Sequence, residues 1–333
     1  MSKDEGVRIT DTINFISTAT VPAAHNAQRA TVADLLRDYD AHGHIADTVS
    51  PAMSQGSNYA ILGRDEVKAS RHYRRAIILI RMALQNADRS VAPRDVGQIS
   101  DANLPNELGN SLGQIHTTLH DLTTKLALLK SNPVSFLSDN TFNMVSAGAT
   151  APSGVADYVL YYDTLNSQYN LAPEATVKNW AAVSIKVFHL HVQPYAGLAR
   201  THGPNGQSLA VVGNAAYGAD LMVTTQLTGC SIVYYLNGAT LVAAHVQPTG
   251  GIDAETMCTN LRADATLSNA PGLAVTGVFG AHAPKGVDPN NYQKAGNFSF
   301  CIGVKIGGTW NLCAQQRTRG VGGAKVAWTI AHG

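Results

Sequence analysis

Cys230 and His245 lie at nearly equal distances on either side of an Asn-Gly dipeptide, and a thiol beside an imidazole can perform nucleophilic catalysis. Asn237-Gly238 separates two runs rich in β-branched and aromatic residues, 231–236 and 240–246, which predicts a β-hairpin with a two-residue loop. If those two residues form the loop, Cys230 faces His245 on the same side of the ribbon. Directly opposed Cβ atoms lie about 4.5–5.5 Å apart, so the spacing predicts a cysteine nucleophile with a histidine base.

The residues around the pair predict where it lies. Neither face of the hairpin is polar, so we expect its strands to be central in a sheet and covered on both sides. Gly229 leaves room for a substrate and lets the backbone amides of Gly229 and Cys230 turn toward an oxyanion. The competing interpretation is an ordinary core thiol, because cysteine is among the most buried residue types. The facing histidine favours a functional pair, because a buried imidazole needs polar partners.

The segment Leu227-Thr228-Gly229-Cys230 resembles the Leu-Ser-Gly-Cys motif of the toxin glutamine deamidases, the family of cytotoxic necrotizing factor and Burkholderia lethal factor. In that family the catalytic histidine follows the cysteine by a dozen or so residues, as His245 does here. The lethal-factor branch also has a functional threonine at the position of Thr224. Thr228 replaces the usual serine, and the residues after His245 match neither branch.

The resemblance covers residues 155–333 and implies a bacterial effector or toxin that deamidates a glutamine of a host protein. Cys230 would attack the carboxamide as a thiolate, His245 would transfer protons, and Thr224 would orient the imidazole. No cofactor or metal is implied, and the known relatives suggest a GTPase or a translation factor as the host substrate. Two other interpretations remain open from the residues: a cysteine peptidase or amidase, and a non-enzymatic protein that binds a partner.

Composition limits the protein class. A chain of 333 residues favours two domains, and a formal charge of +1 argues against nucleic-acid binding. Four cysteines show no metal-ligand spacing, and either free thiols or two disulfides fit the count. The N-terminus lacks a Sec-type signal pattern and no long apolar run occurs. We therefore expect no membrane span, secretion without a Sec-type signal peptide, and action in the host cytoplasm.

Two halves with different patterns predict an α+β protein. Residues 1–150 are expected to be helical, with a heptad helix at about 106–130 and a linker continuing to about 156. Residues 157–333 are expected to form a mostly antiparallel, β-sandwich-like deamidase domain with few helices. The heptad stripe suits packing inside the chain or docking of a secretion chaperone or helical partner at 106–130. It consists of Leu108, Leu112, Ile115, Leu119, Leu122, Leu126 and Leu129.

A second pair of histidines, His189 and His191, lies on a predicted strand with both side chains on one face. That spacing can hold a metal ion. No acid or third histidine stands nearby in the sequence, so we predict no metal site there.

Overall fold

The chain forms two compact units. Met1–Thr123 with Val177–Ala182 is called the helical unit, and Thr124–Thr176 with Val183–Gly333 is called the two-sheet unit. The sequence-based division near residue 150 stays a prediction. The computed structural model describes residues 3–41, 68–84, 96–145, 153–164, 166–177, 181–197, 210–212, 218–264, 276–281, 291–292, 296–318 and 323–333.

Helices dominate the first part of the chain, as predicted. They are α1 (Lys3–Thr18), α2 (Asn26–Ala41), α3 (Lys68–Leu84) and α4 (Leu104–Ser131). Leu108, Leu112 and Ile115 of the heptad stripe are buried in the core of the helical unit, so at least this part of the stripe packs inside the chain. Docking of a partner at 106–130 stays a prediction. None of the helices within the described ranges is both long and apolar enough to cross a membrane.

The predicted linker at 131–156 is wrong for residues 133–144. This stretch contains α5 (Pro133–Asp139) and the short strand β1 (Phe142–Met144). The Asn132 side chain caps α5 by accepting the Ser135 backbone N–H at 3.2 Å, and Pro133 occupies the first turn, where its missing N–H costs nothing. The buried Gln315 amide donates to the backbone oxygens of Leu137 and Asn140 and so holds the segment in place.

The later part of the chain consists mostly of strands in two sheets. After β1 come β2 (Gly154–Asp163), β3 (Gln168–Pro173), β4 (Ala182–Leu190), β5 (Val192–Pro194), β6 (Ala210–Val212), β7 (Leu221–Thr224), β8 (Ser231–Asn237), β9 (Thr240–Gln247), β10 (Thr276–Ala281), β11 (Asn291–Tyr292), β12 (Asn297–Ile306), β13 (Thr309–Thr318) and β14 (Lys325–His332).

The order of the strands differs from their order in the chain. The first sheet has the order β1-β3-β2-β4-β7-β12-β13-β14, and the second has the order β11-β10-β8-β9-β5 with β6 also on β9. Most registered pairs are antiparallel, whereas β1–β3, β4–β7, β5–β9 and β10–β11 are parallel.

The two sheets share one apolar core, which confirms the predicted α+β, sandwich-like arrangement. Ile232 and Leu241 of the second sheet pack in the same cluster as Met222 and Trp310 of the first. The other face of β8 and β9 is covered by α6 (Ala254–Ala263), whose first turn is capped by the Asp253 carboxylate. The β8–β9 hairpin is therefore central and buried on both faces, as its apolar sequence predicts.

Candidate functional site

The hairpin turn lies one residue later than predicted. Asn237 pairs with Thr240, and the loop is Gly238-Ala239 rather than Asn237-Gly238. Gly238 has a φ of +50°, which suits glycine at the first loop position of a tight hairpin. Its carbonyl accepts the Trp310 backbone N–H at 3.0 Å, a bond from β13 that helps to select this turn. The tertiary contact, which local sequence does not reveal, is the physical reason for the correction.

The corrected register changes the predicted pairing of the thiol and the imidazole. His245 faces Ile232, and Cys230 immediately precedes β8, so the two side chains are diagonal rather than directly opposed. Diagonal neighbours in a sheet lie about 7–8 Å apart. The prediction of direct opposition is wrong. The same-face relationship survives, because moving the turn by one residue shifts the pairing by two and leaves the alternation of faces unchanged.

Thr224, which lies at the end of β7 in the other sheet, contacts the imidazole of His245. Its Oγ1 lies 2.5 Å from His245 Nδ1 and 2.9 Å from the Leu190 carbonyl oxygen. A hydroxyl has one proton, which must go to the carbonyl, so Oγ1 accepts the proton that Nδ1 carries. This chain of hydrogen bonds selects one tautomer of His245, with a lone pair on Nε2.

Nε2 of His245 is buried and has no hydrogen-bond partner in the described part of the protein. Cys230 is half-buried and lies on the same face of the hairpin. Because Nε2 has no partner, the thiol makes no hydrogen bond to it in this conformation. Catalytic contacts often tighten only when substrate binds, so the missing contact does not argue against the pair.

Burial keeps both groups neutral in the resting protein. It lowers the pKa of His245 to about 3, with further lowering from the nearby His191 and His189. Burial also raises the pKa of the Cys230 thiol to about 11, against a smaller opposing effect of a backbone hydrogen bond from Thr228. The expected resting thiolate is therefore not supported, because a buried charge without an opposite charge beside it is costly.

The backbone before the thiol requires glycine. Gly229 has a φ of +153°, a conformation that residues with a Cβ rarely adopt, and it follows the exposed Thr228. Leu227 is anchored to Ser299 of β12 by two backbone hydrogen bonds of 2.8 and 3.0 Å. The segment 228–230 thus bends sharply between two fixed points, and the side of the bend at Cys230 is accessible.

Sequence reasoning did not single out two side chains of this region, Tyr158 and Tyr292, and it considered His189 without placing it beside the hairpin. Tyr158 Oη lies 2.8 Å from Nδ1 of the buried His189, and both residues are on the sheet that carries Thr224. Tyr292 donates from its hydroxyl to the Cys230 carbonyl oxygen at 2.8 Å. The His-Leu-His pattern at 189–191 drew attention to His189. Its place relative to the hairpin could not be predicted, because the chain passes from the first sheet in β4 to the second sheet in β5.

The described residues contain no group of three or more His, Cys, Asp or Glu side chains placed to hold a metal ion. All four cysteines, Cys230, Cys258, Cys301 and Cys313, are free in this structure, so the alternative of two disulfides is not observed. Cys230 differs from the others, which are buried.

Comparisons with known proteins do not identify a family for this chain. No protein-family model and no curated protein matches the chain. Among solved structures, the chain is similar to the C-terminal domain of CNFy from Yersinia pseudotuberculosis, with 11% identity and a TM-score of 0.26. The match covers 53% of this chain and 72% of the other. This likeness is too slight to identify the chemistry of the site, which must be argued from the residues themselves.

Proposed function

We propose that the protein is a bacterial effector or toxin that deamidates a glutamine side chain of a host protein with Cys230 as nucleophile and His245 as base. One observation carries the proposal: a buried imidazole whose tautomer is set by Thr224 presents an unpartnered Nε2 on the face of the hairpin that bears the only half-buried thiol. A core histidine with a merely structural role would be expected to have both ring nitrogens satisfied. The Leu-Thr-Gly-Cys segment, which resembles the deamidase motif, supports the same chemistry.

The neutral resting pair favours proton transfer during attack over a preformed ion pair. As the Cys230 sulfur bonds to the carboxamide carbon, Nε2 of His245 takes the thiol proton. The imidazolium then gives a proton to the departing ammonia, which leaves a thioester on the enzyme. Water, deprotonated by the same nitrogen, hydrolyses the thioester and releases glutamate with the free thiol. The net reaction consumes one water and releases one ammonia.

The oxyanion of both tetrahedral intermediates needs backbone donors. We assign the amide of Cys230, which adjoins the thiol. Gly229 supports it through its conformation, because its φ of +153° turns the chain just before the thiol. Thr224 acts through the imidazole, since its contacts are with His245 and the Leu190 carbonyl oxygen.

A peptidase is the closest chemical alternative. Its nucleophilic cysteine usually stands at the N-terminus of a helix, where the helix dipole stabilises the thiolate. Cys230 instead precedes strand β8. This position is the reason to prefer side-chain amide hydrolysis to peptide cleavage. As part of the proposal, the protein acts in the host cytoplasm, where a GTPase or a translation factor is the expected class of substrate.

The decisive experiment compares host-cell lysates exposed to the wild type, to Cys230→Ser and to Cys258→Ser. Cys258→Ser is a matched control, because it replaces a buried thiol on the other side of the hairpin. Mass spectrometry should find glutamine-to-glutamate conversion at a defined site with the wild type and the control, and none with Cys230→Ser. New protein termini would indicate a peptidase, and a full cellular effect of Cys230→Ser would indicate a binding protein; either result contradicts deamidation.

A further inference from the structure

The backbone carbonyl of Cys230, the proposed nucleophile, has a partner from an element that the proposed reaction does not use. Tyr292 belongs to the short strand β11, and its hydroxyl donates to the Cys230 carbonyl oxygen at 2.8 Å. The side chain is almost completely buried, and its ring lies 5.5 Å from that of Phe279 between centroids. The ring is thus held by packing, and the hydroxyl is presented at a fixed point beside the thiol.

The bond reaches the bend in the chain that precedes β8. Its acceptor is the carbonyl of Cys230, the residue that follows Gly229, whose φ is +153°. Burial raises the pKa of Tyr292, and the negative charge that Cys230 would carry as a thiolate is close enough to raise that pKa further. The hydroxyl therefore holds the backbone at the C-terminal end of this bend.

Strand β11 is in turn held by helix α6. Arg262 Nη2 donates to the side-chain oxygen of Asn291 at 2.6 Å and to the Val278 carbonyl oxygen at 3.0 Å. Val278 lies in β10, and β11 pairs with β10 through Gly280 and Ala281. One guanidinium thus bridges the two strands, and Asn291 is the immediate neighbour of Tyr292. The contacts form a continuous chain from α6 through β11 to the backbone of the thiol.

We propose that Tyr292 is a positioning residue for Cys230 and that Arg262 and Asn291 hold Tyr292 in place. Arg262, Asn291 and Tyr292 together form the Tyr292 clamp. Its task is to hold the bend at 229–230 so that the thiol stays on the His245 face of the hairpin. The meaning of this clamp for catalysis depends on the proposed function, whereas its effect on the Gly229-Cys230 backbone does not.

Removing the hydroxyl should loosen the bend without removing the ring. Tyr292→Phe leaves the Cys230 carbonyl without this partner, and an unmade buried hydrogen bond is expensive. We expect hydrogen–deuterium exchange of a peptide that spans 227–231 to become about ten-fold faster, the factor equivalent to one ordinary hydrogen bond. Iodoacetamide should also alkylate Cys230 several-fold faster, measured on its own peptide.

Two further variants make the experiment specific. Tyr235→Phe removes a hydroxyl from another fully buried tyrosine, on the opposite face of β8, and should leave both rates within two-fold of wild type. Arg262→Met breaks the bond to Asn291 without touching the tyrosine and should loosen the same peptide. Because the two changes act on one clamp, the double variant Tyr292→Phe with Arg262→Met should be no looser than the more affected single variant.

Unchanged exchange at 227–231 in either clamp variant would overturn the proposal. So would an equal acceleration in peptides from β12 and β13, which would indicate general destabilisation. These readouts need no glutamine substrate, so they remain decisive if the wild type proves not to be a deamidase. If deamidation is found, Tyr292→Phe should lower kcat and leave KM unchanged, because the hydroxyl positions the reacting thiol and not the substrate.

Discussion

The two units of the chain differ in the polar groups that they bury. The described core of the helical unit is aliphatic, and the buried polar side chains there are small hydroxyls, at Thr12, Ser70 and Ser111. The two-sheet unit buries two imidazoles, His189 and His245, together with amide and thiol side chains. Burying ionisable groups costs stability, so a protein that retains them commonly uses them. This difference points to the two-sheet unit as the place of chemistry.

The partners of ionisable side chains also differ between the two units. In the helical unit, Arg74 pairs with Asp101 at 2.9 Å and Arg81 pairs with Glu107, and each of these pairs retains contact with solvent. Such pairs contribute little to stability. By contrast, the buried imidazole of His245 has a neutral threonine as its partner. The helical unit is thus expected to respond to mutation mainly through packing, and the two-sheet unit through its chemistry as well.

The largest expected effect is on activity at His245. His245→Gln removes the proposed base and should lower the rate of glutamine deamidation by about 10²–10⁴-fold, the usual contribution of a general base. His189→Gln removes the other buried imidazole and should cost less than about ten-fold, because His189 is not assigned a proton transfer. Rates would be measured as ammonia released from the identified substrate. Equal losses in the two variants would contradict the distinction between these histidines.

Shortening a side chain in the core of the helical unit should lower stability and leave the candidate site around Cys230 intact. Leu112→Ala creates a cavity in the core of the helical unit and should lower the free energy of unfolding by about 2–5 kcal/mol. Thr117→Ala, at an exposed position on the same helix, should change it by less than about 0.5 kcal/mol. Urea denaturation would measure both variants. If Leu112→Ala also altered iodoacetamide alkylation of Cys230 in native conditions, the separation of roles between the units would fail.

Loss of the threonine hydroxyl should have an intermediate effect. Thr224→Val leaves the Nδ1 proton of His245 without its acceptor and frees the imidazole to change tautomer. We expect about a 100-fold loss of kcat, below the about 10⁴-fold loss when a charged orienting aspartate is replaced in a serine-protease triad, because threonine is neutral. Thr224→Ser retains the hydroxyl and should restore most of the activity. A fully active Thr224→Val protein would remove Thr224 from the site.

The smallest expected effect is a pH dependence of stability. Burial lowers the pKa of His245 to about 3, from an ordinary value of 6.5. Between these values the unfolded chain binds a proton that the folded chain does not, so stability falls as the pH decreases below 6.5. From pH 7 to pH 5 the loss should be about 2 kcal/mol from this residue.

Urea denaturation at the two pH values would measure this loss against His245→Gln. His189, whose pKa burial also lowers, contributes in the same direction in both proteins and cancels in the difference. An identical pH dependence of the two proteins would mean that His245 is protonated in the folded state at pH 5.

Local sequence was sufficient for much of the hairpin. Its two strands, its apolar faces and its central place in a sheet follow from the alternation of residues on either side of the loop. The exact turn did not follow, because the Trp310 N–H bond to Gly238 comes from a strand more than seventy residues away. The segment around α5 and β1 was misjudged for a similar reason, since Gln315 of β13 anchors it.

The candidate site, like the fold, could be predicted from the sequence only in part. The sequence alone determined which residue types could react and that Cys230 and His245 share a face, because strand alternation is a local property that a shift of two residues leaves unchanged. The resemblance to the deamidases supplied Thr224 as an expectation.

Only the tertiary structure decided the tautomer of His245, through the contacts of Thr224 with Nδ1 and with the Leu190 carbonyl oxygen. It also decided that the thiol of Cys230 and the imidazole of His245 are neutral, and that Tyr292 bonds to the Cys230 carbonyl oxygen. Burial and hydrogen bonding depend on which distant segments meet, and no local pattern encodes that meeting.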